Sequence, residues 1–281
     1  MNTKTKEKIF NEINGHHQER ANVKNIPLQT RKFMDFLAQK YGFRDITYVT
    51  THFYNSFFLA MDNKNRMLFI KHGGTAELYR NEYEMGMKLW KIDHKHFLKP
   101  LYYCDSGEFF FFANEIMNGD SLYRYAESGR LQAMPTNAKM SLVRDLYQIF
   151  IDLKKSDVVH RDIRPKNLAI LDNRLILIDI QLAVSKTHYV ELESMSARKL
   201  RNLGGHGYQY KIYQWDDSYS LLKCLKFIGC PAPEYRAEYN KIYHEIKSYI
   251  GHDTIKSSKR EGALHRLFRH LIKIYKKIKT H

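Results

Sequence analysis

Apolar and polar positions follow two different rhythms along this chain, and the rhythm changes near its middle. From Ile46 to Ile70 the β-formers bunch and alternate: ITYVTTHFYNSFFLA, a polar break at Asp62–Asn65, then RMLFI. Two apolar runs on either side of an Asp/Asn-rich break predict a hairpin. Two more strand-like runs follow, LKPLYYC and EFFFFANEI, joined by Asp105-Ser106-Gly107. The second is almost wholly apolar, as a strand covered on both faces should be. Between these pairs, residues from Ala76 to Trp90 repeat at helical spacing. Leu78, Met85 and Leu89 share one side, and Tyr79, Tyr83 and Trp90 widen the stripe. Past the turn-rich stretch Met117-Asn118-Gly119-Asp120 the pattern becomes helical, and Ala138 to Lys155 sets Leu142, Leu146, Phe150 and Leu153 on one face. The fold class expected is therefore α+β, with a β-rich front half, a helical back half and a boundary near Glu115 to Gly119.

Three charges interrupt this pattern where charge is expensive. Glu82 falls in the middle of the apolar stripe of the first helix, whereas Glu77 and Glu84 project away from it. A carboxylate there needs a cation, and Lys71, at the end of the strand RMLFI, is the candidate; a lysine closing a strand at the solvent edge is the plainer alternative. Asp179 likewise ends the buried run LILI. Between VV and LAI lies the polar cluster His160 to Asn167, a loop held by buried flanks, and loops mounted this way are where catalytic groups concentrate.

Composition narrows the class. The 281 residues are 43% hydrophobic, enough for a packed core, and carry a formal charge of +16. A charge that large favours an anionic partner such as acidic lipid, nucleic acid or a phosphorylated substrate. No nucleic-acid recognition motif accompanies it, so specific nucleic-acid binding is not expected. No apolar run approaches the roughly 20 residues that span a bilayer. MNTKTKEKIF lacks the apolar core of a secretory signal. Cys104, Cys224 and Cys230 show neither metal-ligand spacing nor a disulfide framework. The expected location is the cytoplasm, with a peripheral position on the inner face of the membrane as an option.

The loop His160-Arg161-Asp162-Ile163-Arg164-Pro165-Lys166-Asn167 resembles the catalytic loop of the protein kinase superfamily, H-R-D-x-x-x-x-N. Asp179-Ile180-Gln181 stands where that family has D-F-G, Lys71 in LFIK resembles its strand lysine, and Glu82 the helix glutamate paired with it. Asp217 and Ser220 in WDDSYSLL resemble the buried aspartate and serine of the core helix. The resemblance covers roughly Ile46 to Ile228. It implies a bilobal fold: an extension over 1–43, a small lobe over 44–115 with a five-stranded sheet and one helix, and a larger lobe over 116–250. It also implies ATP and Mg²⁺. Asp162 would orient and deprotonate the acceptor hydroxyl, Lys71 and Arg164 would hold phosphate, and Asn167 and Asp179 would ligate the metal. The backbone from Glu115 to Met117 would hold adenine, with Asp120 near the ribose and His160 as a structural anchor. The chain departs from the pattern in a glycine-free phosphate turn (Thr50 to Ser56), in Gln181, and in lacking A-P-E. A divergent phosphate turn and a missing A-P-E are typical of the small bacterial branches of the superfamily, including lipopolysaccharide sugar kinases and aminoglycoside phosphotransferases.

Two features bear on the acceptor. Between Asp179 and Asp217 lie Lys186, Arg198, Lys199, Arg201 and Lys211 against Glu191 and Glu193, a basic segment suited to a phosphorylated or carboxylated ligand or simply to solvent. In a tail over 251–281, Leu264 to Ile278 carry a narrow apolar stripe with Arg266, Arg269, Lys273, Lys276 and Lys277 opposite. That helix would lie on an anionic membrane or pack on the protein. The favoured acceptor is a sugar of a membrane glycolipid such as lipopolysaccharide inner core; the alternatives are a serine/threonine protein kinase and a nucleotide-binding pseudokinase.

Overall fold

The structure, a computed structural model, describes residues 27–52, 55–116, 119–205 and 207–259. The front half is a five-stranded antiparallel sheet with strand order β1-β2-β3-β5-β4. Its strands are β1 (Arg44–His52), β2 (Asn55–Met61), β3 (Met67–His72), β4 (Pro100–Asp105) and β5 (Phe110–Glu115). The turn expected at Asp62–Asn65 joins β2 to β3, and buried Asp62 accepts the amides of Lys64 and Arg66, both at 2.9 Å. One face of the sheet is covered by α1 (Leu28–Tyr41), which buries Phe33 and Leu37. Sequence reading left this helix unassigned within 1–43. Its Phe33 ring stacks on His72, centroids 3.8 Å apart, so α1 abuts the end of the strand that carries Lys71.

Helix α2 (Ala76–Ile92) lies between the sheet and the rest of the chain. Thr75 caps it by accepting the Leu78 amide. Leu78, Tyr79, Glu82, Met85 and Leu89 are buried, which is the stripe read from the sequence, Glu82 included. Met85 and Leu89 join the core of the back half, and Gly86 lets the helix close on β4: a Cβ there would meet the Pro100 ring at 2.7 Å.

The back half is built on α3 (Thr136–Lys155), α4 (Asp217–Ile228) and α5 (Arg236–Ser248), packed on one another around Leu146, Phe150, Leu225 and Ile246. A three-stranded sheet of β6 (Asp120–Ser121), β8 (Leu168–Leu171) and β9 (Arg174–Leu177) faces the front half. Gly119 leads into it so closely that a Cβ would lie 2.5 Å from the Ile170 carbonyl oxygen. Two-residue strands β7 (Val158–Val159) and β10 (Val184–Ser185) pair with each other, as do β11 (Gln214–Trp215) and β12 (Ile255–Lys256). Short helices span Leu122–Glu127, Arg130–Ala133 and Ala197–Asn202. The α+β class holds. Within the tail region, residues 251–259 are not helical, since β12 pairs there with β11. The apolar stripe from Leu264 to Ile278 lies outside the described residues. Among the described residues no helix is long and apolar enough to cross a membrane.

Candidate active site

A cleft of about 590 Å³ separates the sheet from the helical half. Phe57 and Phe69, their rings 5.5 Å apart and stacked, line it from β2 and β3, and Ala169 and Leu177 line it from β8 and β9. That is an apolar slot of the size that takes a planar heterocycle. Its polar end holds Lys71, Glu82, Asn167 and Asp179.

Lys71 Nζ donates to Glu82 Oε1 at 2.7 Å and to Asp179 Oδ1 at 2.9 Å. The pairing inferred from the misplaced Glu82 is thus present, and Asp179 completes it. Burial opposes charge on Lys71, but Asp179 and Glu82 outweigh it and hold the ammonium above the usual lysine range. Lys71 in turn holds the Asp179 carboxyl below the usual range. Asp179 opens into the cleft, its side chain 43% exposed. It sits in left-handed backbone (φ 63°), a conformation that must be stabilised by what surrounds it.

The loop from His160 to Asn167 is fixed from below. Asp217, at the start of α4, accepts the amides of His160 at 2.6 Å and Arg161 at 3.1 Å, which holds Arg161 at φ 68°. Ser220, one turn on, donates to the Tyr208 carbonyl at 2.7 Å. His160 is fully buried and burial pushes it down to about 4, so the ring is neutral. Its Nε2 donates to the Ile178 carbonyl and its Nδ1 accepts the Asp162 amide. This is the anchoring role expected of it. Arg161 is buried whole: Nε donates to the Leu182 carbonyl, one terminal nitrogen pairs with Glu191 at 2.8 Å, and the guanidinium lies over the Trp215 ring.

Asp162 receives three donors: Asn167 Nδ2 at 2.9 Å, the Gly204 amide at 3.0 Å and Arg164 at 3.1 Å. Burial raises its pKa to about 6 against the pull of Arg164. Since Asn167 turns its nitrogen to Asp162, its carbonyl oxygen is the atom left for a ligand. Asn167 and Asp179 thus offer hard oxygen donors on one cleft. Among the described residues no group of three or more His, Cys, Asp or Glu is suited to a metal. Two protein oxygens fit Mg²⁺, which keeps waters and substrate phosphates as its other ligands.

Other expected site residues fall out differently. Asp120 lines the cleft but is paired with Arg130 and, at 3.8 Å, with Arg124. Glu115 ends β5 with an exposed side chain, its carbonyl accepting the Asn114 amide group, while Ile116 lines the cleft. Met117 lies outside the described residues. At the glycine-free turn β1 and β2 pair as far as His52 with Asn55, and the Thr51 hydroxyl bonds Tyr48 and Ser56, both at 2.8 Å. In the basic segment, Lys186 donates to the Leu153 carbonyl and pairs with Asp253 at 2.7 Å, so it supports the fold and does not face an acceptor. Glu191 is occupied by Arg161.

Three contacts had no sequence signal. Glu77, expected to point away, accepts the amides of Glu193 at 2.7 Å and Ser194 at 3.1 Å; despite partial burial, Ser194, through side chain and amide, and the Glu193 amide keep its carboxyl below the usual range. From the other side Lys259 donates to the carbonyls of Leu192, Glu193 and Met195. Asn81, also on α2, donates to the carbonyls of Gln181 and Ala183. The segment after Asp179 is therefore gripped by α2, by the loop below it and by residue 259. No protein-family model matches the chain and no curated protein matches it in sequence, so the case for an activity rests on the cleft and its side chains.

Proposed function

We propose that the chain is an ATP-dependent phosphotransferase with the bilobal protein-kinase-like fold. It would move the γ-phosphate of ATP to an acceptor hydroxyl, that of a sugar on a membrane glycolipid such as lipopolysaccharide inner core. The observation that carries this reading is the Lys71 ammonium, held between Glu82 at 2.7 Å and Asp179 at 2.9 Å in a cleft that Asp162 adjoins.

Phosphoryl transfer demands alignment and charge neutralisation more than covalent help. The apolar slot suits adenine, and the oriented ammonium of Lys71 suits the phosphates. Asn167 and Asp179 would hold Mg²⁺, which would supply positive charge against the phosphate oxygens. Asp162, fixed by Asn167 and Gly204, accepts the proton of the acceptor hydroxyl and aims its oxygen. Arg164, bonded to Asp162, stands ready for the transferred group. That same bond, on the residue next but one to the aspartate, supports the second reading, a serine/threonine protein kinase. Beyond Lys71, Arg124 and Lys166, which line the cleft, the exposed Arg198 and the neighbouring Arg201 are the candidates for an anionic acceptor.

The test is phosphate transfer from labelled ATP to lipopolysaccharide core, to generic proteins and to no acceptor. Asp162→Asn should abolish transfer while binding of Mg²⁺-ATP, measured by calorimetry, stays within a few-fold. Transfer at the normal rate by that variant would end the proposal; transfer to protein alone would favour the second reading.

A further inference from the structure

Between Ala197 and Pro233 the chain carries six cations and two carboxylates. Both carboxylates are buried and engaged: Asp217 by the amides of His160 and Arg161, Asp216 by Tyr219, Gly251 and Thr254. What this stretch shows to solvent is therefore cationic. On α4 the helical spacing sets Tyr219, Lys223, Lys226 and Phe227 on the side opposite core residues Leu221, Cys224, Leu225 and Ile228. Tyr210 packs edge-on against Tyr219, centroids 5.5 Å apart, which joins the loop before α4 to the helix in one surface. Two apolar side chains stand out of it, Ile212 at 60% and Phe227 at 36% exposure.

The occupant is constrained by what the face presents. Residues 260–281 bring seven more cations against one carboxylate, so the tail and a second copy of the chain are both repelled. Single-stranded nucleic acid binds by stacking bases on open aromatic faces. Here those faces are covered by ammonium groups: Lys211 over Tyr210 at 5.1 Å, Lys223 over Tyr219 at 5.3 Å and Lys226 over Tyr243 at 5.3 Å. Tyrosines with lysines beside them and isolated apolar tips between them match a lipid interface, where rings sit at headgroup level, apolar tips enter the acyl boundary and ammonium groups meet phosphate.

We propose that the face formed by Tyr210 to Ile212 and the outer side of α4 docks on an anionic lipid surface. The loop from Leu203 to Ile212 connects this face to the cleft, because the Gly204 amide bonds Asp162. In a docked chain one loop then carries both the lipid-facing Tyr210 to Ile212 and the Gly204 amide that bonds Asp162. That a lipid-borne acceptor is delivered there rests on the phosphotransferase reading; the docking itself does not.

The experiment is sedimentation of the full chain with vesicles of phosphatidylcholine alone and of phosphatidylcholine mixed with phosphatidylglycerol, without nucleotide or acceptor. Binding to the mixed vesicles only is expected. Each lysine near an anionic surface is worth about fivefold in affinity, so Lys211→Gln/Lys223→Gln/Lys226→Gln should weaken binding about a hundredfold with an unchanged thermal melt. Ile212→Ser, at an exposed site, should weaken it several-fold and decides the matter if the triple variant melts early. Retained affinity in these variants, including the case where only Lys273→Gln/Lys276→Gln/Lys277→Gln reduces it, overturns the proposal. Failure to bind mixed vesicles, or tighter binding to single-stranded nucleic acid, also overturns it. Asp162→Asn should bind vesicles like the native chain, so an inert cleft and an idle face give different results.

Discussion

The two walls of the cleft are built on opposite terms. Below it, the His160–Asn167 loop is tied at several points to partners far away in sequence: Asp217 for two amides, Ile178 for His160, Gly204 for Asp162. Above it, at the β1–β2 end, hydroxyls bond near neighbours: Thr51 with Tyr48 and Ser56. A group that must aim a proton acceptor gains from being over-determined before substrate arrives. A wall that closes over a ligand gains from local bonds that are easily exchanged. On this comparison, substitutions below should remove function and stability together, and substitutions above should do little.

The sharpest break is Asp217→Ala. It leaves two buried amides without an acceptor and Arg161 without support for its left-handed backbone. A destabilisation of about 3 kcal/mol or more in denaturant unfolding is expected, with transfer lost. A native-like midpoint would mean the floor is not anchored there.

Next in size is the Lys71–Glu82 pair. Lys71→Ala leaves Glu82 buried without a cation and should cost about 3 kcal/mol, Glu82→Ala should cost less because Asp179 still pairs Lys71, and the double variant Lys71→Ala/Glu82→Ala should cost much less than the sum. Strict additivity in transfer rates would mean that the two do not act together, whatever their distance. Glu84→Ala, on the exposed side of α2, is the mild control.

A pH profile sharpens the floor further. The proposed role requires Asp162 as the carboxylate, and burial raises its pKa to about 6. The rate should fall as pH drops through that value, by about tenfold per unit once well below it. Arg164→Ala removes a cation that pulls this pKa down, so its midpoint should move up. A profile flat to pH 5 would remove Asp162 from the proton-accepting role.

The smallest effect belongs to the roof. Thr51→Ala/Ser56→Ala deletes a hydroxyl pair at the sheet edge and should change nucleotide affinity and melting only slightly, since exposed polar substitutions cost about 0.5 kcal/mol or less. A tenfold loss of affinity would show that these hydroxyls hold phosphate after all, and would erase the contrast between the walls.

The comparison also marks what could be read in the chain beforehand. Glu82 was legible because a helix repeats, and a charge in an apolar stripe announces a partner. Asp162 and Asn167 were legible because a polar loop stands between buried strands, and Asp179 because it ends a buried run where a carboxylate needs a cation. Asp217 was marked by the resemblance of WDDSYSLL, and the structure adds which two amides it holds. Helix α1 was missed because Phe33 and Leu37 alone make a weak stripe among charged neighbours. Glu77, Asn81 and Lys259 were missed for a different reason: their partners are backbone atoms, which leave no trace in residue type. Lys186 was misjudged because charge counted along a segment says nothing of direction, and this lysine turns back to α3 and Asp253.

The grip of Lys259 on the carbonyls of Leu192, Glu193 and Met195 has a practical consequence for where this polypeptide can be cut. A boundary placed before residue 259 removes a clamp on the segment behind Asp179 along with everything after it. A boundary placed after 259 removes only the residues beyond. Two shortened chains differing by a single amino acid would therefore separate the work of the basic tail from the upkeep of the cleft.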